Sequence, residues 1–289
     1  MANKQYISII RLLKHCDISL DGEVNVSRIK KQINAEFDFA KDGFVDIDGN
    51  NYNKNDVFEE IEKADFLERL VFHKKIWEQK ALLALLEKNN LNIYEVTSQI
   101  KTYANDEKFE NFFSPYFVIP FNYISRKLIN ENKIAELGEW MLFDDFLKTD
   151  DREEGLRTVR IFLDEKLKVL KNINKDTFKS RRDEVVNWVT AGAGRLLNNL
   201  PTDLHDVKED IAYHLINITV AIQKVANRDC KEISTELTQI YDLSAELTDI
   251  ITNNHRVYTQ SGSSSPSNTD YRWVIWVVII LLKIASGGC

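Results

Sequence analysis

The chain has 289 residues, of which 44% are hydrophobic and 29% charged, and a formal net charge of −7. This balance excludes a disordered chain and a polytopic membrane protein, and the acidic excess argues against coating nucleic acid over the whole surface. Ten glycines and four prolines are few for this length, which favours long helices over a sandwich or barrel. We therefore predict a mainly α-helical fold.

The first half of the chain is predicted to form helices around one small β-hairpin. Apolar spacing predicts helices over 4–16 and 26–37, and an Asp-Gly turn signal predicts a hairpin near 44–53. A long helix is predicted from Asn55 or Asp56 to about Glu87, and a short one over 92–104.

Residues 109–123 are dense in aromatic side chains and are interrupted by Pro115 and Pro120. Such a cluster forms part of a core or a surface that binds a partner protein, and both interpretations remain open at this point. The aromatic residues are Phe109, Phe112, Phe113, Tyr116, Phe117, Phe121 and Tyr123.

The second half has the clearest helical periodicity. Apolar residues alternate at spacings of three and four over 150–173, 203–226 and 230–252, about three heptads each. This predicts an antiparallel helical bundle, with packing inside the chain or an intermolecular coiled coil as the alternatives. We divide the chain into a mostly helical region (1–148), a helical bundle (149–256), a Ser-rich linker (257–270) and a C-terminal membrane segment (271–289).

The last nineteen residues carry the strongest functional signal. Ten apolar residues run from Trp273 to Leu282 and cover about 15 Å as a helix, half of a hydrocarbon core. Extension to Cys289 gives about 25 Å, the short limit for a span. No signal peptide is evident at the N-terminus, so we expect a single-pass inner-membrane protein with a cytoplasmic body.

Four residues of this segment have specific membrane roles in our interpretation. Trp273 and Trp276 suit the interfacial aromatic belt, and Arg272 suits the cytoplasmic side. Lys283 falls within the apolar stretch, where a charge is costly. Either it snorkels to the far interface, or several copies associate and Lys283 faces a shared aqueous path.

A basic stretch lies within this acidic chain. Residues 157–182 contain nine basic and three acidic residues, a net charge of +6. The stretch is either a solvated helix face or a site for a polyanion such as a nucleic acid, a nucleotide or anionic lipid headgroups. Phe162 and Phe178 are candidate stacking partners. The residues assigned to the polyanion site are Arg157, Arg160, Lys168, Lys171, Lys175, Lys179, Arg181 and Arg182.

No motif indicates catalysis, a cofactor or a metal. The three cysteines are widely spaced, and the five histidines include no pair at helical metal-binding spacing. No phosphate-binding lysine loop or nucleophile elbow occurs. Gly192-Ala193-Gly194 lacks the third glycine of a dinucleotide loop and is predicted to allow close helix packing. We expect a non-enzymatic protein.

The chain resembles bacterial anti-phage membrane effectors in its order of parts. It is predicted to have a helical body, then a Ser-rich linker, then one short tail helix interrupted by a charge. Such effectors include the Hailong-type channel, which a nucleic-acid ligand holds shut. The residues that carry this resemblance are the 271–285 segment with Lys283 and the basic 157–182 stretch. It implies an oligomeric effector that opens or perturbs the inner membrane under control of a ligand. The alternative is a tail-anchored scaffold that recruits a partner protein.

Overall fold

The computed structural model describes residues 4–20, 24–40, 43–90, 92–103 and 105–260. Within this part of the chain the fold is mainly helical, with a two-stranded antiparallel sheet, as predicted. The described residues divide into two compact units, each built from two stretches of sequence. Within them, unit 1 comprises 4–127 and 143–159, and unit 2 comprises 128–142 and 160–260.

Unit 1 contains the sheet and most of the shorter helices. Its elements are α1 (Ile9–His15), α2 (Val26–Phe39), β1 (Phe44–Ile47), β2 (Asn50–Asn53), α3 (Lys54–Ile61), α4 (Phe66–Glu78), α5 (Lys80–Lys88), α6 (Ile93–Ile100), most of α7 (Glu107–Asn130) and the start of α9 (Thr149–Lys171).

The hairpin forms where its turn signal predicts it. Val45 pairs with Tyr52 across the sheet, and the turn residues Asp48 and Gly49 both have positive φ, at 55° and 77°. This turn twists with the strands and tolerates few residues other than Asp, Asn and Gly. Val45, Ile47 and Tyr52 are buried against α1 and α2, so the small sheet forms one wall of the unit 1 core.

Helix α7 runs for 24 residues through both Pro115 and Pro120. A proline inside a helix costs about 3 kcal/mol, so the two cost about 6 kcal/mol. Four phenylalanines at four-residue spacing, from Phe109 to Phe121, are fully buried, and each contributes about 1.5–3 kcal/mol. The aromatic stripe therefore outweighs the prolines. Of the seven predicted aromatics only Tyr123 is exposed, which confirms the interpretation of this cluster as core.

Unit 2 is an assembly of helices. Its elements are the end of α7, α8 (Ile134–Met141), the remainder of α9, α10 (Phe178–Trp188), a π-helical turn (Val189–Ala193), α11 (Gly194–Asn198), α12 (His205–Ile222), α13 (Asn227–Leu237) and α14 (Ala245–Gln260). The apolar positions of the predicted heptads are buried within the chain, apart from Val225.

The Gly192-Ala193-Gly194 run packs closely, as predicted. Gly192 has a φ of 110°, and a Cβ built there would lie 2.7 Å from the Cβ of Ala135 on α8. Glycine is required at this position for both its φ and its size.

The predicted long helix from Asn55 or Asp56 to Glu87 is wrong, because the chain forms three helices there. Breaks after Ile61 and at Gln79 separate α3, α4 and α5. In one continuous helix, Glu60 and His73 would be separated by about 20 Å along the axis. The first break instead allows Glu60 Oε1 and His73 Nε2 to approach to 3.1 Å.

The predicted helix over 230–252 is also interrupted, between Leu237 and Ala245. Side chains from distant parts of the sequence hold the connecting loop. Asn198 donates from Nδ2 to the Gln239 carbonyl and accepts at Oδ1 from the Tyr241 amide, and Glu209 accepts from the Ser244 amide. Helix α14 then continues to Gln260 with Tyr258 buried, so the linker predicted to begin at 257 starts no earlier than 261. The burial of Tyr258 explains why a helix persists there.

No helix within the described residues is both long and apolar enough to cross a membrane. The predicted membrane segment 271–289, with Arg272, Trp273, Trp276 and Lys283, lies outside the described residues.

Candidate functional site

Unit 1 contains a cavity of about 590 Å³ with a mainly polar lining. Residues 4–8, which precede α1, form one side of it, and 49–53 of the hairpin form another. Asp56, Glu59 and Glu60 of α3, Glu87 of α5 and Tyr116 of α7 complete the lining. This volume lies in the range of sites for small molecules, which are usually more apolar than this one.

Glu60, one of the lining residues, is the centre of a buried polar network. Only 4% of its surface is exposed. Its Oε1 accepts from Arg69 Nε at 2.6 Å and contacts His73 Nε2 at 3.1 Å. Its Oε2 accepts from Lys63 Nζ at 2.6 Å, Arg69 NH2 at 3.0 Å and Tyr116 Oη at 2.7 Å. Five donors on one carboxylate satisfy the charge that burial would otherwise make costly.

His73 extends this network to Tyr6. Tyr6 Oη lies 3.1 Å from His73 Nδ1. Burial lowers the pKa of His73, so its imidazole is neutral, and an ionised Glu60 can only accept. His73 Nε2 therefore carries the proton donated to Glu60, and Nδ1 accepts the hydrogen of Tyr6.

A second buried ion pair borders the cavity. Arg11 donates from Nε and NH2 to the two carboxylate oxygens of Glu87, at 3.2 and 2.7 Å, and from NH1 to Asp48 at 2.9 Å. The Glu87 side chain is 5% exposed and the Arg11 side chain 15% exposed. Arg11 also lies 5.2 Å from the ring centroid of Trp77, a cation–π contact.

The protonation states of the cavity groups follow from burial and these partners. Burial opposes the charge of Glu60, but the bonds from His73 and Arg69 outweigh it and hold the pKa of Glu60 well below its usual range. Burial, reinforced by neighbouring carboxylates, raises the pKa of Tyr6. Burial likewise raises the pKa of Tyr52 and of Tyr116. At neutral pH the cavity therefore has ionised carboxylates beside protonated phenols.

At rest this arrangement is a chain of hydrogen bonds. A Tyr–His–Glu chain has the connectivity that activates a nucleophile in hydrolases. Here the phenol of Tyr6 keeps its proton, because its raised pKa disfavours the phenolate. The cavity is suited to binding a polar molecule.

Sequence reasoning missed this network, although a signal for it exists. Glu60 follows Val57 by three positions and precedes the buried Ile61, and His73 follows Leu70 by three positions. Both polar residues therefore occupy positions on the apolar faces of their helices. A charged residue at such a position marks a buried polar network.

The basic stretch divides into paired and unpaired residues. Lys168 and Lys171 lie in the last turn of α9, Lys175 in the following loop and Lys179 at the start of α10; we call these four the lysine cluster. All four are exposed, and none forms an ion pair with the described residues. Asp176 is the one acidic residue between Lys168 and Lys179.

The arginines assigned to the polyanion site have partners within the chain. Arg182 donates from Nε and NH2 to Asp229, at 2.8 and 2.7 Å, and Arg181 pairs with Glu184 at 2.6 Å. Arg160 donates to the Asp203 carbonyl at 2.6 Å. Arg157 belongs to unit 1 and lies 3.5 Å from Glu154. The four arginines thus have contacts within the chain, whereas the four lysines form no ion pair with the described residues.

The predicted stacking partners of this site are core residues. Phe178 is 3% exposed and Phe162 is 9% exposed, so neither ring offers a free face to a base. The prediction of stacking there is wrong, because both rings lie on the apolar faces of their helices. The ammonium of Lys166 lies 5.5 Å from the Phe162 ring centroid.

Within the described residues, no group of three or more His, Cys, Asp or Glu side chains is placed to hold a metal ion. Comparison of the chain with protein family models, with curated proteins and with solved structures finds no match.

Proposed function

We propose that the protein is a non-enzymatic, oligomeric membrane effector whose body responds to an anionic ligand. Segment 271–289 inserts into the inner membrane in this proposal, and the lysine cluster binds a nucleic acid or nucleotide that controls it. Opening or perturbing the membrane is the output, as in anti-phage defence that kills the host cell. The observation that carries the proposal is the lysine cluster, four exposed lysines that form no ion pair with any residue the structure describes.

Charge reversal tests the ligand part of the proposal. The triple change Lys171→Glu, Lys175→Glu and Lys179→Glu should abolish binding of a single-stranded oligonucleotide, measured by fluorescence anisotropy. Wild-type binding should weaken steeply as salt rises, because phosphate contacts release counterions.

A matched control makes the same change in charge elsewhere. Lys31, Lys80 and Lys101 are exposed lysines of unit 1, and their reversal to Glu should leave binding within about twofold, since distant exposed charges are screened. Equal losses in the two triple variants would mean that only net charge matters. Salt-independent binding, or none, would refute a polyanion site.

Truncation tests the membrane part. Full-length protein should depolarise cells or slow their growth, and a 1–270 truncation should be harmless at the same expression level. If both chains are equally harmless with and without the oligonucleotide, the effector proposal fails. The size of the detergent-extracted protein gives an independent check, because a monomer excludes a shared pore.

Lys283 separates a pore from a simple anchor. If it faces a shared aqueous path, Lys283→Glu should keep insertion but change the preferred ion, since a ring of like charge selects the opposite ion. Lys283→Leu should then weaken conduction while anchoring more firmly. Unchanged leakage in dye-release or single-channel recordings of both variants would make Lys283 an anchor residue.

The alternative proposal is a tail-anchored scaffold. Its contact region was predicted to be either the aromatic region 109–123 or the heptad helices. The aromatic region contributes six buried side chains to the core, so that cluster gives this proposal no surface. The heptad helices remain the contact region of this alternative. A stoichiometric cytoplasmic partner in a pull-down, together with unchanged membrane conductance, would favour the scaffold over the effector.

A further inference from the structure

Helix α12 runs beside α9 at the end of α9 that carries the lysine cluster. Arg160 of α9 donates at 2.6 Å to the carbonyl of Asp203, in the turn that precedes α12. Lys171 lies eleven residues after Arg160, and His214 lies eleven residues after Asp203, so each is about 16 Å further along its helix. The charge of Lys171 acts on the imidazole of His214, so the two helices run in the same direction. His214 therefore lies close to Lys171 of the lysine cluster.

The imidazole of His214 has no hydrogen bond or ion pair with any other described residue, and its side chain is partly exposed. The ring of the neighbouring Tyr213 meets it edge to face, with centroids 5.2 Å apart, but offers it no acceptor. Each of the other four histidines has a polar partner. These partners are Glu36 for His15, Glu60 and Tyr6 for His73, Glu209 and Asp242 for His205, and Ser234 for His255. The ring nitrogens of His214 are thus available to a molecule bound from outside.

The surroundings of His214 keep its imidazole neutral in the unbound protein. Burial lowers its pKa and the positive charge of Lys171 lowers it further, whereas Asp210 on α12 itself opposes both. Helices α13 and α14 also pack against α12, but their described residues contribute no charge that acts on His214. A phosphate held by Lys171 would place negative charge beside the ring, and an opposite charge at short range favours the imidazolium.

We propose that His214 is a further binding residue of the polyanion site, where its imidazolium donates a hydrogen bond to a phosphate held by the lysine cluster. This inference rests on the polyanion site of the proposed function and adds to it a donor whose charge depends on pH. Ligand binding then takes up a proton from solvent. The affinity for a phosphate ligand should therefore rise as pH falls below the ordinary histidine pKa of about 6.5.

Fluorescence anisotropy with a labelled single-stranded oligothymidylate tests this on the full-length protein, at about pH 8 and about pH 5.5. Neither thymine nor the phosphodiester changes its charge between these values, so a change in affinity reports on the protein. Wild-type protein should bind about three- to tenfold more tightly at the lower pH, since one charged hydrogen bond accounts for about tenfold. Its affinity should also fall more steeply with salt there, by a slope of up to about 0.7 for one added phosphate contact.

Two substitutions and one matched control assign the pH dependence to His214. His214→Gln cannot become charged and should lose the gain in affinity at low pH. His214→Arg is charged at both pH values, so it should bind more tightly than wild type at pH 8 and show no further gain. His205→Gln is the control on the same helix, because His205 already lies 3.8 Å from Glu209 and 3.9 Å from Asp242. It should keep the wild-type gain.

The outcomes separate this inference from the proposed function. An equal gain at low pH in wild type and His214→Gln would overturn the role of His214 and leave the lysine cluster as the site. Binding by His214→Arg that is no tighter than wild type at pH 8 would overturn it as well. Absence of wild-type binding at both pH values would instead refute the polyanion site, and this inference with it. Thermal melting of each variant checks that a change in affinity does not come from unfolding.

Discussion

Replacement of Glu60 by Gln is the most direct test of the buried network, because it changes charge and hydrogen bonding with almost no change in shape. The amide NH2 of Gln must replace one of the two carboxylate oxygens. At the Oε2 position it would confront Lys63, Arg69 and Tyr116, and at the Oε1 position it would confront Arg69 and His73. Either orientation turns at least two good hydrogen bonds into contacts between donors.

The expected cost follows from the number of lost bonds. A hydrogen bond to a charged group contributes about 1.5–3 kcal/mol, so two such bonds give at least about 3 kcal/mol. Removal of one partner of a buried ion pair costs about 3–5 kcal/mol, which agrees. We therefore expect Glu60→Gln to lower the free energy of unfolding by about 3–5 kcal/mol.

Urea unfolding followed by circular dichroism measures this loss, and Glu62→Gln is the matched control. Glu62 lies two residues further on, is 59% exposed and contacts Lys30 at 3.4 Å. An exposed pair of this kind contributes about 0–1 kcal/mol. A cost of Glu60→Gln below about 1 kcal/mol, or equal to that of Glu62→Gln, would refute the assigned role of the network.

The same variant has a predicted pH dependence. Its neighbours hold the pKa of Glu60 below the ordinary value of 4.5. The ionised carboxylate therefore stabilises the folded state above about pH 4.5, and this contribution is lost as pH falls towards the lower pKa of the folded state. Glu60→Gln should remove this part of the acid-induced loss, so its stability should fall less steeply below pH 4.5.

The remaining predictions concern a glycine and a cysteine. Gly192→Ala should destabilise unit 2 by about 2–4 kcal/mol in urea unfolding, because φ is 110° and the new methyl would lie 2.7 Å from a Cβ of α8. Gly43→Ala, where φ is 74° and no atom lies within 4 Å, should cost only about 1–2 kcal/mol, and equal costs would contradict the proposed clash. Burial raises the pKa of Cys230 to about 12, which disfavours the reactive thiolate. In a variant with Cys16 and Cys289 changed to Ser, labelling of Cys230 by a thiol reagent at pH 8 should be at least about a hundredfold slower in the folded protein than in urea. Rapid labelling of the folded protein would show that this thiol is accessible.

The chain's own patterns were sufficient for the class of fold and for several local features. The scarcity of glycine and proline and the spacing of apolar residues predicted a mainly helical protein, since both properties act within a few residues. The hairpin at 44–53 was predicted for the same reason, because Asp48 and Gly49 can adopt the positive φ values that its turn requires. The aromatic cluster was predicted to be core or a partner-binding surface, and the burial of six of its seven side chains shows that it is core.

Tertiary contacts decided where the helices end. No glycine or proline separates α3 from α4, and periodicity alone predicted one continuous helix there. The break between them allows Glu60 to contact Arg69 and His73. In one straight helix these side chains would be too far apart to form the same hydrogen bonds. Conversely, α7 continues through two prolines because packing of its phenylalanines outweighs their local cost.

The same difference between local pattern and tertiary contact applies to the candidate sites. Sequence identified the basic stretch, because charge density is visible residue by residue. Only the structure distinguished the lysine cluster from Arg181 and Arg182. Helix geometry places Glu184 beside Arg181, and folding brings Asp229 to Arg182. The polar cavity of unit 1 was decided by tertiary structure alone, because its walls come from five separate segments whose approach no local pattern encodes.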